Sequence, residues 1–167
     1  DGRPSQTLIL AHTNVDVLAL NTLARSALKD DGLLVDEARF MTARGERMFA
    51  PGDRVLFLEN DRQLGVKNGM IGHVVEAAPN RVVAVVGEGD QRRQVTVDSR
   101  TYSNLDHGYA TTVHKSQGAT VDRVKVLASL SLDRHLTYVA MTRHREDLQV
   151  YFGRRSFDLN GGLTKVL

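Results

Sequence analysis

Residues 109–120 read YATTVHKSQGAT, and they combine one imidazole, one ammonium, one carboxamide and four Ser or Thr hydroxyls beside a glycine. Backbone amides and short hydroxyls can follow a chain of phosphates without crowding it, while His114 and Lys115 add hydrogen bonds and positive charge. The stretch carries little apolar weight, which argues against a role in core packing. These residue types predict a loop that binds phosphate groups, with a solvated Ser/Thr-rich loop as the competing interpretation.

Composition excludes several other kinds of chemistry. The 167 residues include no cysteine, so disulfides and thiolate metal sites are excluded, and the six histidines show no metal-ligand spacing such as HExxH. We therefore predict no metal site. No apolar run approaches the roughly 18 residues that a membrane helix needs, so we expect no membrane partner. The absence of cysteine fits a reducing cytoplasm, where we expect the protein to be. The net charge is +2, with 17 Arg against 5 Lys.

The elements that must position the 109–120 stretch have α/β character. An apolar strand is predicted at 7–11, followed by a helix with Asn14 as N-cap and Gly32 closing its C-terminus. Downstream, the pattern predicts a strand at 122–130, a helix at 132–146 and a strand at 148–153. The helix after Asn14 has apolar residues at helical spacing, namely Val15, Leu18, Leu20, Leu23, Ala24, Ala27 and Leu28. Strand–helix units of this kind build a parallel sheet.

The middle of the chain changes character and predicts short antiparallel strands. Asn68-Gly69 is a strong hairpin signal, and 81–97 reads as two strands about a turn at Gly87–Asp90. Several short strands over about 60 residues suggest a small barrel resembling an SH3 fold. We expect this barrel at 45–104, inserted into an α/β domain of 1–44 and 105–167. Alternation predicts a core of Val55, Phe57, Ile71, Val74, Val83, Val85, Val95 and Val97.

Four segments carry a resemblance to superfamily 1 helicases, and they occur in the family's order. YATTVHKSQGAT resembles motif V, LTYVAMTRHRED at 136–147 resembles motif VI, and LILAHTNVDVLALN at 8–21 is similar to motif IV. PGDRVLFLENDRQLGVKNGMIGHV resembles the start of the SH3-like insertion in the RecD-like branch (superfamily 1B). Within this branch, the segments resemble the helicase half of TraA-type conjugative relaxases. The resemblance implies a second RecA-like lobe of the P-loop NTPase type, itself lacking the P-loop and carrying an SH3-like β-barrel.

The resemblance also implies roles for individual residues. Arg143 falls where the family has its arginine finger, a catalytic group that stabilises charge on the transferring phosphoryl group. A surface arginine paired with Glu146 or Asp147 is the competing interpretation, and Arg145 is expected to be structural. The residues implied to face the nucleotide are Gln117, Gly118 and Arg143, and those implied to contact DNA are Thr112, His114 and Lys115. Where many relatives have a phosphate-binding Arg in motif IV, this chain has His12, Thr13 and Asn14.

No G-x-x-x-x-G-K-[ST] loop occurs in the sequence, so ATP with Mg²⁺ is expected to bind mainly to a first lobe elsewhere in the parent protein. The sequence begins with Asp1 rather than an initiator Met, so we expect an excised fragment. Because the fragment lacks the phosphate-binding loop, we expect that it does not hydrolyse ATP alone. The implied partners are single-stranded DNA, that first lobe and an N-terminal relaxase domain. The alternative is a non-catalytic nucleic-acid-binding or protein-interaction module that reuses a helicase lobe. An adaptor for Pro-rich peptides has little support, because the insertion has few aromatic residues.

Overall fold

The computed structural model describes residues 7–116, 121–128 and 144–152. These residues divide into two compact units: unit 1 contains those up to Leu20 and from Tyr109 onward, and unit 2 is Asn21–Gly108. The elements of the described residues are β1 (Thr7–Ala11), α1 (Asn14–Asp30), β2 (Ala38–Thr42), β3 (Gly45–Phe49), β4 (Arg54–Phe57), β5 (Ile71–Ala78), β6 (Arg81–Val86), a 3₁₀ turn (Gly89–Gln91), β7 (Arg93–Asp98), β8 (Leu105–His107), β9 (Ala110–Thr112), β10 (Val121–Ala128) and β11 (His144–Phe152).

Unit 1 contains a four-stranded parallel sheet in the order β11-β10-β1-β9. Leu10 of β1 is paired with Val126 on one side and Thr111 on the other. Apolar side chains of β1 and β10 are buried. β1 is an apolar run, whereas β10 alternates buried apolar residues with less buried ones that include Asp122, Arg123 and Lys125. The strands predicted at 7–11, 122–130 and 148–153 are confirmed over their described residues. The predicted helix at 132–146 lies outside the described residues up to 143, and it is wrong for 144–146, which belong to β11.

Helix α1 begins with a cap from Thr13 rather than Asn14. The Asp16 amide donates to Thr13 Oγ1 at 3.1 Å, and the Thr13 hydroxyl donates to the Asp16 carboxylate at 2.7 Å. The predicted end at Gly32 is confirmed, since Gly32 has φ +71° and its amide donates to the Lys29 carbonyl at 2.9 Å.

The predicted apolar stripe of α1 is only partly right. The helix buries Asn21 and Arg25, whereas its exposed side chains include Val15, Leu18 and Leu23. The most buried residues of α1 are therefore polar, and the apolar periodicity does not identify them.

Unit 2 combines a five-stranded antiparallel sheet, in the order β7-β6-β5-β4-β8, with the hairpin β2-β3. Its core includes the edge-on ring pair Phe40–Phe49 and the tilted pair Phe57–Tyr102, each with ring centroids 5.8 Å apart. The predicted turn at Gly87–Asp90 is confirmed as the connection between β6 and β7. The boundary between the two predicted domains, at 44/45, falls between β2 and β3 of this hairpin.

The predicted core is correct for most positions but wrong in phase on β6. Val82, Ala84 and Val86 join the core cluster, whereas Val85, predicted to be inside, is only half-buried. Val83 is buried but lies outside that cluster, and Ile71 on β5 is half-buried. The physical reason is that RVVAVV is apolar on both faces, so its alternation carries no information about which face is inside.

A buried ion network joins the second half of α1 to the strands of unit 2. The Arg25 guanidinium donates to Asp53 at 2.9–3.2 Å and to Glu37 at 2.6 Å, and the Asp53 side chain is fully buried. Asp53 also accepts the Ala50 amide at 2.9 Å. The Lys29 hydrogen bond, followed by Arg25, lowers the pKa of Glu37 against the opposing effect of burial. This network explains the burial of Arg25, which the apolar pattern of α1 did not predict.

Candidate functional site

The first half of the 109–120 stretch forms β9 and lies directly beside β1. The Ile9 amide donates to the Tyr109 carbonyl at 2.9 Å, and the Val113 amide donates to the Ala11 carbonyl at 3.2 Å. Because β1 and β9 are parallel, their carboxyl ends meet at one edge of the sheet. Ligands of open α/β sheets bind at this edge.

A compact turn follows β9 and uses most of its own hydroxyl groups. The Ser116 amide donates to the Thr112 carbonyl at 3.0 Å, and the Ser116 hydroxyl donates to the Val113 carbonyl at 2.6 Å. The Lys115 amide donates to Thr112 Oγ1 at 3.3 Å. Thr112 is 6% exposed and Ser116 is fully buried. The expectation that this stretch takes no part in core packing is therefore wrong for 109–113 and Ser116.

The same turn projects the two groups of the stretch that can reach a ligand. The His114 side chain is exposed, and Lys115 is half-buried. Lys115 Nζ donates to Asn14 Oδ1 at 3.2 Å, although the two residues are far apart in sequence. The segments after β1 and after β9 thus meet at the carboxyl edge, with the N-terminus of α1 between them. The Lys115 ammonium supplies positive charge at this edge, whereas the first turn of α1 carries the Asp16 carboxylate and its Asp16 and Val17 amides donate to Thr13. Lys115 is therefore the group here that suits an anionic ligand.

His12, which ends the β1 segment, keeps an unsatisfied polar atom at this edge. Its Nδ1 is buried and has no hydrogen-bond partner within the described part of the chain. Such a group costs folding free energy, on the order of 1–3 kcal/mol, and is uncommon in native structures.

The structure brings together only part of the predicted site. Thr112, His114 and Lys115 lie in one turn, whereas Gln117, Gly118 and Arg143 lie outside the described residues. Across 7–116, 121–128 and 144–152, no group of three or more His, Asp or Glu side chains could hold a metal ion. In these same segments, no helix is both long and apolar enough to cross a membrane.

Sequence reasoning missed two residues of the turn and its surroundings. Asn14 was assigned as a helix cap, but its side chain accepts the Lys115 ammonium. Ser116 was grouped with the phosphate-binding hydroxyls, but it stabilises the turn. The order of parallel strands could have indicated the first contact, because segments that follow neighbouring parallel strands converge at one edge.

Comparison with known proteins identifies the class. A family model described as the viral superfamily 1 RNA helicase core domain matches residues 48–152. This match covers more than half of the chain, and the chain belongs to that superfamily 1 helicase family.

Individual relatives agree with this assignment. The chain is 70% identical over 161 residues to the conjugal transfer protein TraA of Agrobacterium fabrum, covering 96% of this chain and 15% of that protein. It is 35% identical over 103 residues to the RecBCD enzyme subunit RecD of Mycolicibacterium smegmatis, covering 59% of this chain and 18% of that protein. The chain thus spans less than a fifth of the length of these relatives.

A solved structure shares the fold. The Bacteroides Pif1 helicase, determined in complex with ADP-AlF3 and ssDNA, superposes with a TM-score of 0.66 at 20% identity, over 90% of this chain and 41% of that one. The mixed α/β fold with a parallel sheet is therefore confirmed as similar to that of a Pif1 helicase. The SH3-like character of the antiparallel unit stays a prediction.

Proposed function

We propose that the chain is the second motor lobe of an ATP-dependent DNA helicase within a conjugative relaxase-helicase that unwinds plasmid DNA for transfer. The chain belongs to a superfamily 1 helicase family, its relatives include a conjugal transfer protein and a RecBCD enzyme subunit, and its fold is similar to that of a Pif1 helicase. The observation that carries the proposal is the contact between Lys115 and Asn14 at the carboxyl edge. It unites two segments that the sequence relates to motifs V and IV.

In this proposal the turn after β9 contacts single-stranded DNA. His114 is exposed and Lys115 carries charge, so both can reach the phosphate backbone. Thr112 is buried, and its hydroxyl oxygen fixes the turn by accepting the Lys115 amide. Its hydroxyl therefore contributes less to direct contact with DNA than His114 and Lys115 do. Gln117 and Gly118 continue the same stretch toward the nucleotide, so one segment couples the nucleotide to the grip on DNA.

ATP with Mg²⁺ binds mainly to a first lobe in this proposal, and the chain adds positive charge toward the phosphates. The Lys115 ammonium at the carboxyl edge can attract an anionic group, with the Asp16 carboxylate in the first turn of α1 as the opposing charge. Bound ATP would supply the energy for translocation. Arg143 is the proposed arginine finger, the SH3-like insertion is proposed at 45–104, and a relaxase domain is the proposed N-terminal partner.

The Lys115 contact can be tested by single-strand binding. We expect the 167-residue chain to bind an oligothymidylate weakly, at or below the affinity of non-specific binding with Kd of about 10⁻⁴–10⁻⁶ M. Lys115→Gln should weaken binding several-fold and reduce the slope of log K against log salt by about 0.7, the contribution of one phosphate contact.

Lys125→Gln is the matched control, because Lys125 lies on β10 of the same sheet with its Nζ 5.8 Å from the Tyr151 ring centroid. Fluorescence anisotropy at several salt concentrations gives both affinity and slope. Equal losses in the two variants would show that the turn has no special contact with DNA.

A further inference from the structure

A cationic groove lies in unit 2, between the long β4–β5 connection and the β6–β7 connection. It consists of two adjoining cavities of about 330 and 510 Å³ that share Gly65 and Lys67 in their walls. The first is completed by Asn60, Asp61, Arg62 and Val66, and the second by Met70, Val86, Gly87, Asp90, Gln91, Arg92 and Arg93. We call this feature the loop groove.

Positive charge in the loop groove is available rather than neutralised. The side chains of Arg62, Lys67 and Arg92 are exposed, and none makes a hydrogen bond or ion pair within the described part of the chain. The walls also contain two carboxylates, Asp61, which accepts the Leu64 amide at 2.8 Å, and Asp90. The cations of the walls, Arg62, Lys67, Arg92 and Arg93, outnumber them by four to two. Neighbouring cations without partners raise the local potential and attract anions.

The walls of the loop groove are held in place by the fold. The guanidinium of Arg93 donates to the Leu64 carbonyl at 3.0 Å and to the Gly65 carbonyl, which fixes one connection to the other. Asp61 and Val66 exchange two backbone hydrogen bonds of 2.9 Å, and Val66 is anchored in the core. Lys67 thus projects from an anchored position, and ordering it for a ligand costs less than ordering a free loop.

The lining chemistry selects the class of ligand. Among the described residues, none of those in the walls is aromatic, so the groove has no ring on which a base could stack. Guanidinium and ammonium groups instead match phosphate oxygens. Gly65 and Gly87 both have positive φ, and a Cβ at either position would clash, with the Arg93 guanidinium or with the Gln91 carbonyl, so both loop turns require glycine.

We propose that the loop groove binds the phosphodiester backbone of nucleic acid, without sequence preference, as a second contact beyond the turn after β9. This deepens the proposed function, because it assigns a DNA-binding role to the antiparallel unit. Single-stranded and duplex DNA share the same phosphate chemistry, and the experiment separates them.

The test uses the 167-residue chain with Lys67→Gln and Arg92→Gln combined. We expect binding of single-stranded or duplex DNA to weaken roughly tenfold, with the salt slope reduced by about 1.4 for a single strand or about 1.8 for a duplex. The substrate that shows the change identifies which form of DNA the groove holds. Anisotropy titrations with oligothymidylate and a mixed-sequence duplex of equal phosphate number measure both.

The matched control is Arg39→Gln combined with Arg81→Gln, which removes the same charge from exposed sites of the same unit. Affinities and slopes equal to this control for both substrates would overturn the proposal. So would displacement of the oligonucleotide by an oligoglutamate of equal charge with equal efficiency, since the groove would then fit an acidic protein.

Comparing the groove variant with Lys115→Gln separates a failure of the groove proposal from a failure of the proposed function. If Lys115→Gln weakens binding and the groove variant does not, the second contact is wrong and the proposed function stands. If only the groove variant weakens binding, the groove is supported and the turn after β9 loses its assigned role.

Discussion

At the scale of the residue, the polar side chains of the turn after β9 divide into two sets. The Ser116 hydroxyl and Thr112 Oγ1 hold the turn together, and both side chains are buried. His114 and Lys115 extend from it. A sequence pattern of hydroxyls cannot make this division, because a hydroxyl satisfied by its own backbone and one that faces a ligand look the same in sequence.

The pKa of His73 on β5 can be used to test the position of Arg92, a residue of the loop groove. Burial, then the charges of Arg54 and Arg92, lower the pKa of His73 below its ordinary value of 6.5. Removing one positive charge stabilises the imidazolium, so Arg92→Gln should raise this pKa part of the way back. An NMR titration of the imidazole ring protons measures it, with Arg100→Gln as control, since Arg100 is paired with Asp98 and is not among the charges acting on His73.

The same shift has a consequence for stability. Because the folded-state pKa of His73 is lowered, its contribution to stability is complete above pH 6.5 and is lost as the pH falls toward the folded pKa. Arg92→Gln should therefore reduce the acid sensitivity of unit 2. An unchanged His73 pKa in this variant would mean that the Arg92 guanidinium does not face the ring.

At the scale of the element, the sequence predicted strands better than it predicted which side of them is buried. Three strands of the parallel sheet, β1, β10 and β11, were predicted, whereas β9 was missed because its residues were taken as part of a polar loop. The end of α1 was predicted from Gly32, whose positive φ suits a glycine. The phase of β6 was wrong because both of its faces are apolar. The burial of Arg25 could not be predicted, because it depends on Asp53 from a distant segment.

Asn68-Gly69 shows how a strong local signal was placed correctly but interpreted wrongly. The pair lies in a turn closed by the Met70 amide on the Lys67 carbonyl at 3.0 Å, and Gly69 has φ +85°. Asn68 does not share this positive φ, so the turn is not the type I′ hairpin turn that the sequence indicated. The two-residue hairpin of this sheet instead lies between Ala78 and Arg81, with Asn80 at φ +59°.

The ion network of α1 gives the prediction at this scale. Asp53→Asn removes the charge that the buried Arg25 guanidinium contacts, leaving that guanidinium without its main partner. Breaking a buried pair in this way should lower the free energy of unfolding by about 3–5 kcal/mol. Urea denaturation followed by circular dichroism measures the change. Asp98→Asn is the control, because its pair with Arg100 is exposed and should leave the denaturation midpoint unchanged.

Similar midpoints for these two variants would contradict the role assigned to the network. Asp53 also accepts the Ala50 amide, which an asparagine side chain can still do. The expected loss therefore reports the charge of Asp53 rather than the turn that it closes.

At the scale of the whole molecule, the chain combines two units whose sheets differ in strand direction. Unit 1 has a parallel sheet whose carboxyl edge holds the turn after β9, and unit 2 has an antiparallel sheet with the loop groove. From the change to short strands with tight turns, the sequence predicted an inserted unit at 45–104, whereas unit 2 of the structure is Asn21–Gly108. The loop groove was not predicted, because its cations at positions 62, 67 and 92 belong to two separate connections that only the folded sheet brings together.

Turnover of ATP is the property that depends on the whole motor. The sequence has no G-x-x-x-x-G-K-[ST] loop, so the chain alone lacks most ligands for a triphosphate, and we expect no DNA-stimulated hydrolysis by the purified chain. In a longer polypeptide that joins the chain to a P-loop lobe, Arg143→Ala should reduce turnover by roughly 10³-fold or more and leave DNA affinity within a few-fold. Arg145→Ala is the neighbouring control, expected to retain turnover. Hydrolysis by the chain alone would refute the division of labour between lobes, and full turnover in Arg143→Ala would place the arginine finger elsewhere.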